Sequence, residues 1–544
     1  MKILCERNKG YKWYQKAGVY FRGYIQLENG ECFQGEAAVE YLLATASYDE
    51  FCNSLSTFFG CYSIIICKED EVWIAVDIAR SMPLYYDVEL SCVSDSAEAV
   101  RKYNSISRTD VDNARALEMY ATSYIVGENT IFNSIKQLDI GSSAVIKNNE
   151  IESRYYFVHK SKERSIDRKT ALAQLEKITD RSMERLKKVV GNRQVVISLS
   201  GGYDSRYLAC SLKKNGFENV FCYTYGRKDS FEPVQSKKVA NALGYQWVGL
   251  EYNDDDVKKI ISEDTREYFE YTNNYDYISY IQNFVAFKKL SDMGVIAEDA
   301  VVMTGLCNDM PTGFYTPDKE EAEKWDYTNE GCASFVYSQR FIKFSLAHDL
   351  KKQFTKEIQN KFEEWDLHVV DYESFVHVSD CANTAFSHSR CFLHMNNVHE
   401  FFGHQWLLPC WDRELLKFWY SMPVEYRYKQ NLYEEYITER IGKKYGVGTK
   451  KEIRTVGKTV KSQKLIRNLG SKVVKVAYTF GIPIRRSTDI NNFAPLEVEI
   501  YKNIKQKNAI KSKYAAFTLL FTVYLMEKRH GTRWYRDIKR KIEK

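Results

Sequence analysis

From about residue 169 the chain alternates short apolar runs with longer amphipathic stretches, and this rhythm restricts the fold more than any other feature. A helix is expected at Thr170–Val189, a strand at Gln194–Leu199 and a helix at Asp204–Asn215 stopped by Gly216. A strand at Val220–Tyr225, a helix at Glu232–Leu243 stopped by Gly244 and a strand at Trp247–Glu251 follow. Further on come a helix at Ile278–Met293 stopped by Gly294 and a strand at Ala300–Thr304. Strands alternating with helices of this length pair in parallel through right-handed crossovers, so an α/β fold is predicted. Ligands of such sheets sit beyond the carboxyl ends of the strands.

Two turns fall at such ends. Ser200-Gly201-Gly202-Tyr203-Asp204-Ser205 joins a strand to a helix and offers successive backbone N–H groups, two hydroxyls and the positive end of a helix dipole. That setting suits a phosphate. Gly201 and Gly202 let the backbone come close and permit φ > 0, and Ser200 and Ser205 can donate to phosphate oxygens. Asp204 would repel a phosphate unless Mg²⁺ stood between them. The second turn, Thr304-Gly305-Leu306-Cys307-Asn308-Asp309 and on to Gly313, repeats the pattern of strand, glycine and aspartate. Asp204 and Asp309 are therefore the candidate metal pair. Without a ligand the same residues read as a serine-rich turn and a helix-capping aspartate. No Walker P-loop is present: Gly457-Lys458-Thr459 lacks the earlier glycine, its place being taken by Glu452.

Residues 1 to about 155 read as short strands, among them Val19–Leu27, Cys61–Cys67, Val72–Val76, Ser143–Ile146 and Arg154–Phe157, with few long helical patterns. Lys160–Arg168 is polar enough for a linker, the chain beyond about 330 is mostly helical, and 449–487 is basic, glycine-containing and expected as loop. A net charge of +6 over 544 residues admits phosphate-bearing ligands without arguing for nucleic acid. Thirteen cysteines scattered singly, with no C-x-x-C, fit reduced thiols and a cytoplasmic protein. The N-terminus has no apolar signal core, and Tyr514–Met526 is too short to span a membrane and reads as a buried helix.

Ser-Gly-Gly-x-Asp-Ser after a strand resembles the PP-loop of ATP pyrophosphatases, which cleave ATP between its α and β phosphates. Thr304, Gly305, Asp309, Gly313 and Tyr315 occupy much of the second motif of the asparagine synthetases. Pro409-Cys410-Trp411-Asp412 is similar to that family's Pro-Phe-Leu-Asp. In the N-terminal part, Phe59–Ser63, Ala75–Tyr86, Thr130-Ile131-Phe132, Ile135 and Leu138–Gly141 also resemble the family. The resemblance implies a degenerate class II glutamine amidotransferase-like domain over 1–158, an Ntn-hydrolase-like αββα sandwich. It further implies, over 169–544, a parallel-sheet synthetase domain of adenine-nucleotide α-hydrolase type.

The implied chemistry is activation of a carboxylate by ATP and Mg²⁺ as an acyl-adenylate, followed by amide formation with ammonia or an amine. Ser200, Gly201, Gly202 and Ser205 would hold pyrophosphate, with Asp204 and Asp309 on the metal. Gly305 would lie at the nucleotide, and Tyr225 and Gly226 would contact adenine. Lys458 would reach the α-phosphate, with Arg454 as the alternate. Arg206 could meet a phosphate, the substrate carboxylate or a surface acid.

The sequence also departs from the family. Glutamine-using members need a cysteine at position 2, where this chain has Lys2, and Cys5 is misplaced for an N-terminal nucleophile. No glutaminase activity is therefore expected, and ammonia would come free or from a separate glutaminase. Met310 replaces the glutamate after the second-motif aspartate, and Gln405 stands where a glutamate is expected before Pro409. Both changes are expected at the acceptor site, which turns attention from aspartate toward other carboxylates, sugar acids of surface-polysaccharide pathways among them. Intramolecular cyclisation of the β-lactam synthetase or lasso-peptide type, tRNA modification and a non-catalytic role are the alternatives.

Overall fold

In the computed structural model the described residues are 1–160, 162–228, 230–306, 308–448, 471–485, 489–505 and 516–533. The N-terminal strands are β1 (Lys2–Leu4), β2 (Trp13–Lys16), β3 (Val19–Gln26), β4 (Cys32–Gln34), β5 (Phe59–Cys67) and β6 (Glu71–Val76). They continue with β7 (Tyr85–Asp87), β8 (Cys92–Ser94), β9 (Ile135–Gln137), β10 (Ser142–Lys147) and β11 (Glu150–Tyr155). These build a four-stranded sheet, β1-β8-β7-β9, and a larger one, β11-β10-β6-β5-β3-β2 with β4 beside β3. The final strand lies earlier than the expected Arg154–Phe157 because it forms a hairpin in which Lys147 pairs with Glu150.

Alternation along β5 decides the layering. Tyr62, Ile64 and Ile66 face a core shared with helices α1 (Gly35–Leu43) and α2 (Tyr48–Leu55), whereas Ile65 faces Leu84, Tyr86 and Val93 of the four-stranded sheet. The outer face of that sheet, through Tyr85 and Cys92, packs on α3 (Ala97–Tyr103) and α4 (Asn113–Thr122). The order is helices, sheet, sheet, helices. Helices α1–α4 are short, 9, 8, 7 and 10 residues, in line with the expected scarcity of long helical patterns. Three of them begin at side-chain caps, Ser47, Ser96 and Asp112, which accept from the backbone N–H of Glu50, Ala99 and Arg115.

The third sheet follows α5 (Arg168–Val190) and comprises β12 (Val195–Ser198), β13 (Val220–Gly226), β14 (Gln246–Glu251), β15 (Val301–Met303) and β16 (Gln405–Leu407). All pairings are parallel, in the order β14-β13-β12-β15-β16. Helices α6 (Tyr203–Lys214) and α7 (Glu232–Leu243) supply the first two crossovers. The expected helix Ile278–Met293 begins only at Phe284, because its first residues are bound elsewhere. Tyr277 bridges Tyr124, Ile278 N–H donates to the Ser123 carbonyl, and the Tyr252 hydroxyl donates to the Gln282 carbonyl.

Beyond 330 the chain is mostly helical, as expected, but β16 interrupts it as an edge strand. Within the stretch expected as loop at 449–487, Ser471–Thr479 is helical and buries Tyr478 against Glu497. Residues 449–470 lie outside the described ones, and Lys458 and Arg454 with them. Tyr514–Met526 falls largely in the helix Ala516–His530, which buries Leu519–Met526 throughout, the buried Thr522 hydroxyl bonding Ser123. Among the described residues no helix is long and apolar enough to cross a membrane, and the described cysteines are free.

Buried ion pairs join the N-terminal sheets to the third sheet and its helices. Arg80 pairs with Asp276 at 2.5 Å, both side chains 0% exposed, and Arg22 pairs with Glu400 at 2.5 Å. Arg390 pairs with Asp139. The Tyr11 hydroxyl donates to the Trp406 carbonyl at 2.8 Å, so the N-terminal part holds β16 in place.

Candidate active site

The strand order reverses between β12 and β15: the chain goes from β12 to β13 in one direction along the sheet and from β15 to β16 in the other. A crevice at their carboxyl ends is where an α/β sheet places its ligand. Ser200–Ser205 leaves β12 there and Thr304–Asp309 leaves β15, so both glycine corners predicted from sequence open onto one place.

Inside the first corner the hydroxyls organise the turn itself. Ser200 Oγ lies 3.0 Å from Ser205 Oγ, Ser205 Oγ accepts from Ser200 N–H at 3.1 Å, and Ser200 Oγ accepts from Gly202 N–H at 3.1 Å. Gly202 begins α6 with φ −80° and no side-chain cap, which leaves the first N–H groups of a twelve-residue helix available to an anion.

Neither Gly201 nor Gly202 uses the positive φ that glycine permits. Space makes them glycines. A Cβ on Gly201 would stand 3.0 Å from the Phe231 ring, and one on Gly202 would stand 3.3 Å from Ser200 Oγ. Gly305 is the tightest point between the corners, with its Cβ position 3.0 Å from the Asp204 carbonyl oxygen.

Asp204 and Asp309 are both half-buried and interact. Burial, reinforced by the negative charge of Asp309, pushes the Asp204 carboxyl up, although a hydrogen bond from the Tyr433 hydroxyl at 2.8 Å opposes the shift. Burial pushes Asp309 up as well, against a long hydrogen bond from the Gln430 amide at 3.4 Å. Two carboxylates that resist ionisation together suit a divalent cation, whose charge replaces the shared proton. No cluster of three or more metal-ligating side chains occurs among the described residues. A two-carboxylate site fits Mg²⁺ completed by phosphate oxygens and water. Tyr433 and Gln430 are site residues that sequence reading missed; Gln430, at φ 59°, precedes the short helix Asn431–Glu435 that carries Tyr433, and no motif marks either.

Tyr225 and Gly226 end β13, the neighbour of β12. Tyr225 stacks on Tyr252 at 5.1 Å, and Gly226, at φ 136°, leaves no room for a Cβ because the Ile490 carbonyl would be 2.5 Å away. A cleft of about 510 Å³ adjoins them, lined by Arg227, Tyr252, Asn253, Arg485 and Asn492 among others. Arg206 is buried beneath the first corner, with a guanidinium nitrogen 3.4 Å from the Gly201 carbonyl oxygen.

Two sequence echoes prove structural. Asp412 caps the helix Arg413–Tyr420 and pairs with Arg185 at 2.6 Å. Gln405 sits at the amino end of β16, in register with Val301, and accepts from Arg193 at 2.7 Å. It therefore faces away from the carboxyl-end crevice, and the expectation that it touches the acceptor is corrected. Met310 does lie at the second corner, fully buried.

No curated protein matches the chain. Among solved structures, the glutamine phosphoribosylpyrophosphate amidotransferase of B. subtilis, complexed with ADP and GMP, is 13% identical over 55% of this chain, with TM-score 0.18. This chain spans 64% of that protein's length. The NH3-dependent NAD synthetase of Campylobacter jejuni is 17% identical over 37% of this chain and 86% of its own, with TM-score 0.20. Overlaps this small carry no argument. A model of the asparagine synthase family matches residues 175–445, from within α5 through both glycine corners to beyond Tyr433. That segment, which holds the parallel sheet and the paired corners, is the part of the chain that is similar to the asparagine synthase family.

Proposed function

We propose that this protein is an ATP-dependent, amide-forming ligase that activates a carboxylate as its adenylate. A carboxylate oxygen attacks the α-phosphorus of ATP, the bond from that phosphorus to the oxygen bridging the β-phosphate breaks, and pyrophosphate leaves. Ammonia or an amine then attacks the acyl carbon, AMP departs with the electron pair, and the extra proton on nitrogen passes to solvent. The observation that carries this reading is the convergence of Asp204, Asp309 and the open start of α6 at one crevice.

In this reading the N–H groups at the start of α6, with Ser200, hold the charge that gathers on the leaving pyrophosphate. Ser205 keeps Ser200 oriented through their 3.0 Å contact. Gly201, Gly202 and Gly305 keep the floor clear for phosphate, and Tyr225 and Gly226 border the adenine. Asp204 and Asp309 would hold Mg²⁺, which when bound supplies charge neutralisation at the phosphates. Lys458, with Arg454 as the alternate, is assigned to the α-phosphate by resemblance alone.

The same proposal makes residues 1–158 an Ntn-hydrolase-like remnant without glutaminase activity. Position 2 is Lys2 in β1, and the Cys5 thiol is pushed up to about 12 by burial and by Asp95, far from a usable thiolate. Asp95 is itself occupied, accepting from the Glu6 and Arg7 N–H groups and from the Trp13 indole at 2.6 Å.

Exchange of labelled pyrophosphate into ATP, stimulated by a carboxylate and lost in Asp204→Asn and Asp309→Asn, tests the ligase. A folded protein that binds ATP yet exchanges with no carboxylate would instead be non-catalytic. Incubation with glutamine should release no glutamate.

A further inference from the structure

The ligase reading leaves the acceptor open, and the second corner constrains it. Arg340 ends the helix Asn329–Arg340 and is half-buried. Its guanidinium lies 5.2 Å from the centre of the Tyr315 ring, Nε donates to Asn383 Oδ1, and a terminal nitrogen is 3.9 Å from Met310 Sδ. All three partners are neutral. Among the described residues no carboxylate forms an ion pair with Arg340, in contrast to Arg427 and Arg390, which hold Asp380 and Asp139. Asp380 feels Arg340 electrostatically, but its ion pair is with Arg427, at 2.5 Å.

The reason is the residue at 310. A glutamate there, as in the asparagine synthetase motif, would project its carboxylate toward Arg340 and cancel its charge. Met310 offers a thioether instead, so the guanidinium stands uncancelled one residue from Asp309. A half-buried guanidinium without a counter-ion favours a carboxylate and disfavours an ammonium group. With Met310 the corner also has one acid fewer to receive an ammonium group.

Resting on the ligase reading, we propose that Arg340 anchors the carboxylate of the acceptor and that this acceptor carries no ammonium group. The substrate class is a simple carboxylic or sugar acid rather than an α-amino acid.

Pyrophosphate exchange with matched acids tests this: succinate against L-aspartate, glutarate against L-glutamate, and D-glucuronate. Wild type, Arg340→Gln, Arg340→Lys and Met310→Glu would be compared, with Mg–ATP binding measured by calorimetry for each. The expected result is exchange with one or more of the acids lacking an amine, at least about tenfold above any amino acid. In Arg340→Gln the KM for that acid rises by about tenfold or more while the KM for ATP stays within about twofold. Arg340→Lys recovers part of the loss, and Met310→Glu, by pairing with Arg340, resembles Arg340→Gln. Equal exchange with succinate and L-aspartate would overturn the inference and leave the ligase standing. So would an unchanged acid KM in folded Arg340→Gln. If Arg340→Gln does not fold, the comparison of matched acids in wild type decides. No exchange with any acid, despite tight Mg–ATP binding, would remove the ligase reading and this inference together.

Discussion

Gly305 of the second corner rests against the backbone of Asp204 in the first, so closely that a Cβ would stand 3.0 Å from the Asp204 carbonyl oxygen and would have to push it back by a few tenths of an ångström. Two segments distant in sequence thus meet at backbone contact, and the separation of the two acidic side chains depends on it. The Gly305→Ala enzyme should keep its fold, losing about 1–3 kcal/mol from crowding. Exchange activity should fall by roughly tenfold to a hundredfold as the corners part. Thermal melting beside the exchange rate separates the two effects, and unchanged activity would show that the corners need not touch.

The acidic pair predicts a proton balance. Burial and mutual repulsion raise Asp204 above the ordinary carboxylate range, so the ligand-free pair retains a proton toward neutral pH. A cation requires the ionised form. Binding of Mg–ATP should therefore release a proton, and affinity should rise with pH through the neutral range. Calorimetry at pH 7.5 in HEPES and in Tris should give heats that differ with buffer ionisation, and Asp204→Asn should abolish the difference. Equal heats in both buffers for the wild type would count against a shared proton.

His159 gives a stability prediction at the junction of the N-terminal sheets with the rest. Its ring is buried between Phe157, Trp411 and Tyr420 and bonds the Ile78 carbonyl at 2.7 Å. Burial lowers it to about 4. A lowered value means that the contribution is full above the unfolded value, near pH 6.5, and is lost as pH falls toward about 4. Wild type minus His159→Gln should be flat above pH 6.5 and decline by up to about 3 kcal/mol below it. Denaturant titrations at pH 7.5, 5.5 and 4.5 check this, and parallel curves would refute it.

Arg80 and Asp276 are both fully buried across the same junction, with the Tyr85 hydroxyl donating to Asp276 at 3.1 Å. Removing one charge strands the other. Asp276→Ala should cost about 3–5 kcal/mol, whereas Arg80→Met combined with Asp276→Leu should be much closer to wild type. A double-mutant cycle by urea unfolding measures the coupling; additive losses would mean that the pair does not act as a unit.

Much of the parallel-sheet half was legible because its signals are local. Apolar runs and glycine stops placed β12–β14, α6 and α7 within a residue or two, since period, helix dipole and left-handed stop residues such as Gly244 act over a few positions. The apolar run at Ala300–Thr304 likewise marked β15, whereas β16, three residues long inside a mostly helical stretch, carries too little periodicity to be recognised alone. Long-range hydrogen bonds shortened the helix that begins at Phe284, and no local pattern foretells them. The close approach expected at Gly201 and Gly202 is present, but the Phe231 ring that crowds Gly201 comes from another part of the chain and could not be named from the motif.

The amino-acid order by itself determined the two glycine corners, the acids that follow them and the absence of a cysteine at position 2. Only the tertiary structure decided that Asp204 and Asp309 share one crevice, that Gln405 lies at the opposite end of its strand and that Arg340 faces Met310. The first group depends on interactions between near neighbours. The second depends on strand order and on which buried surfaces meet, and those are properties of the whole chain.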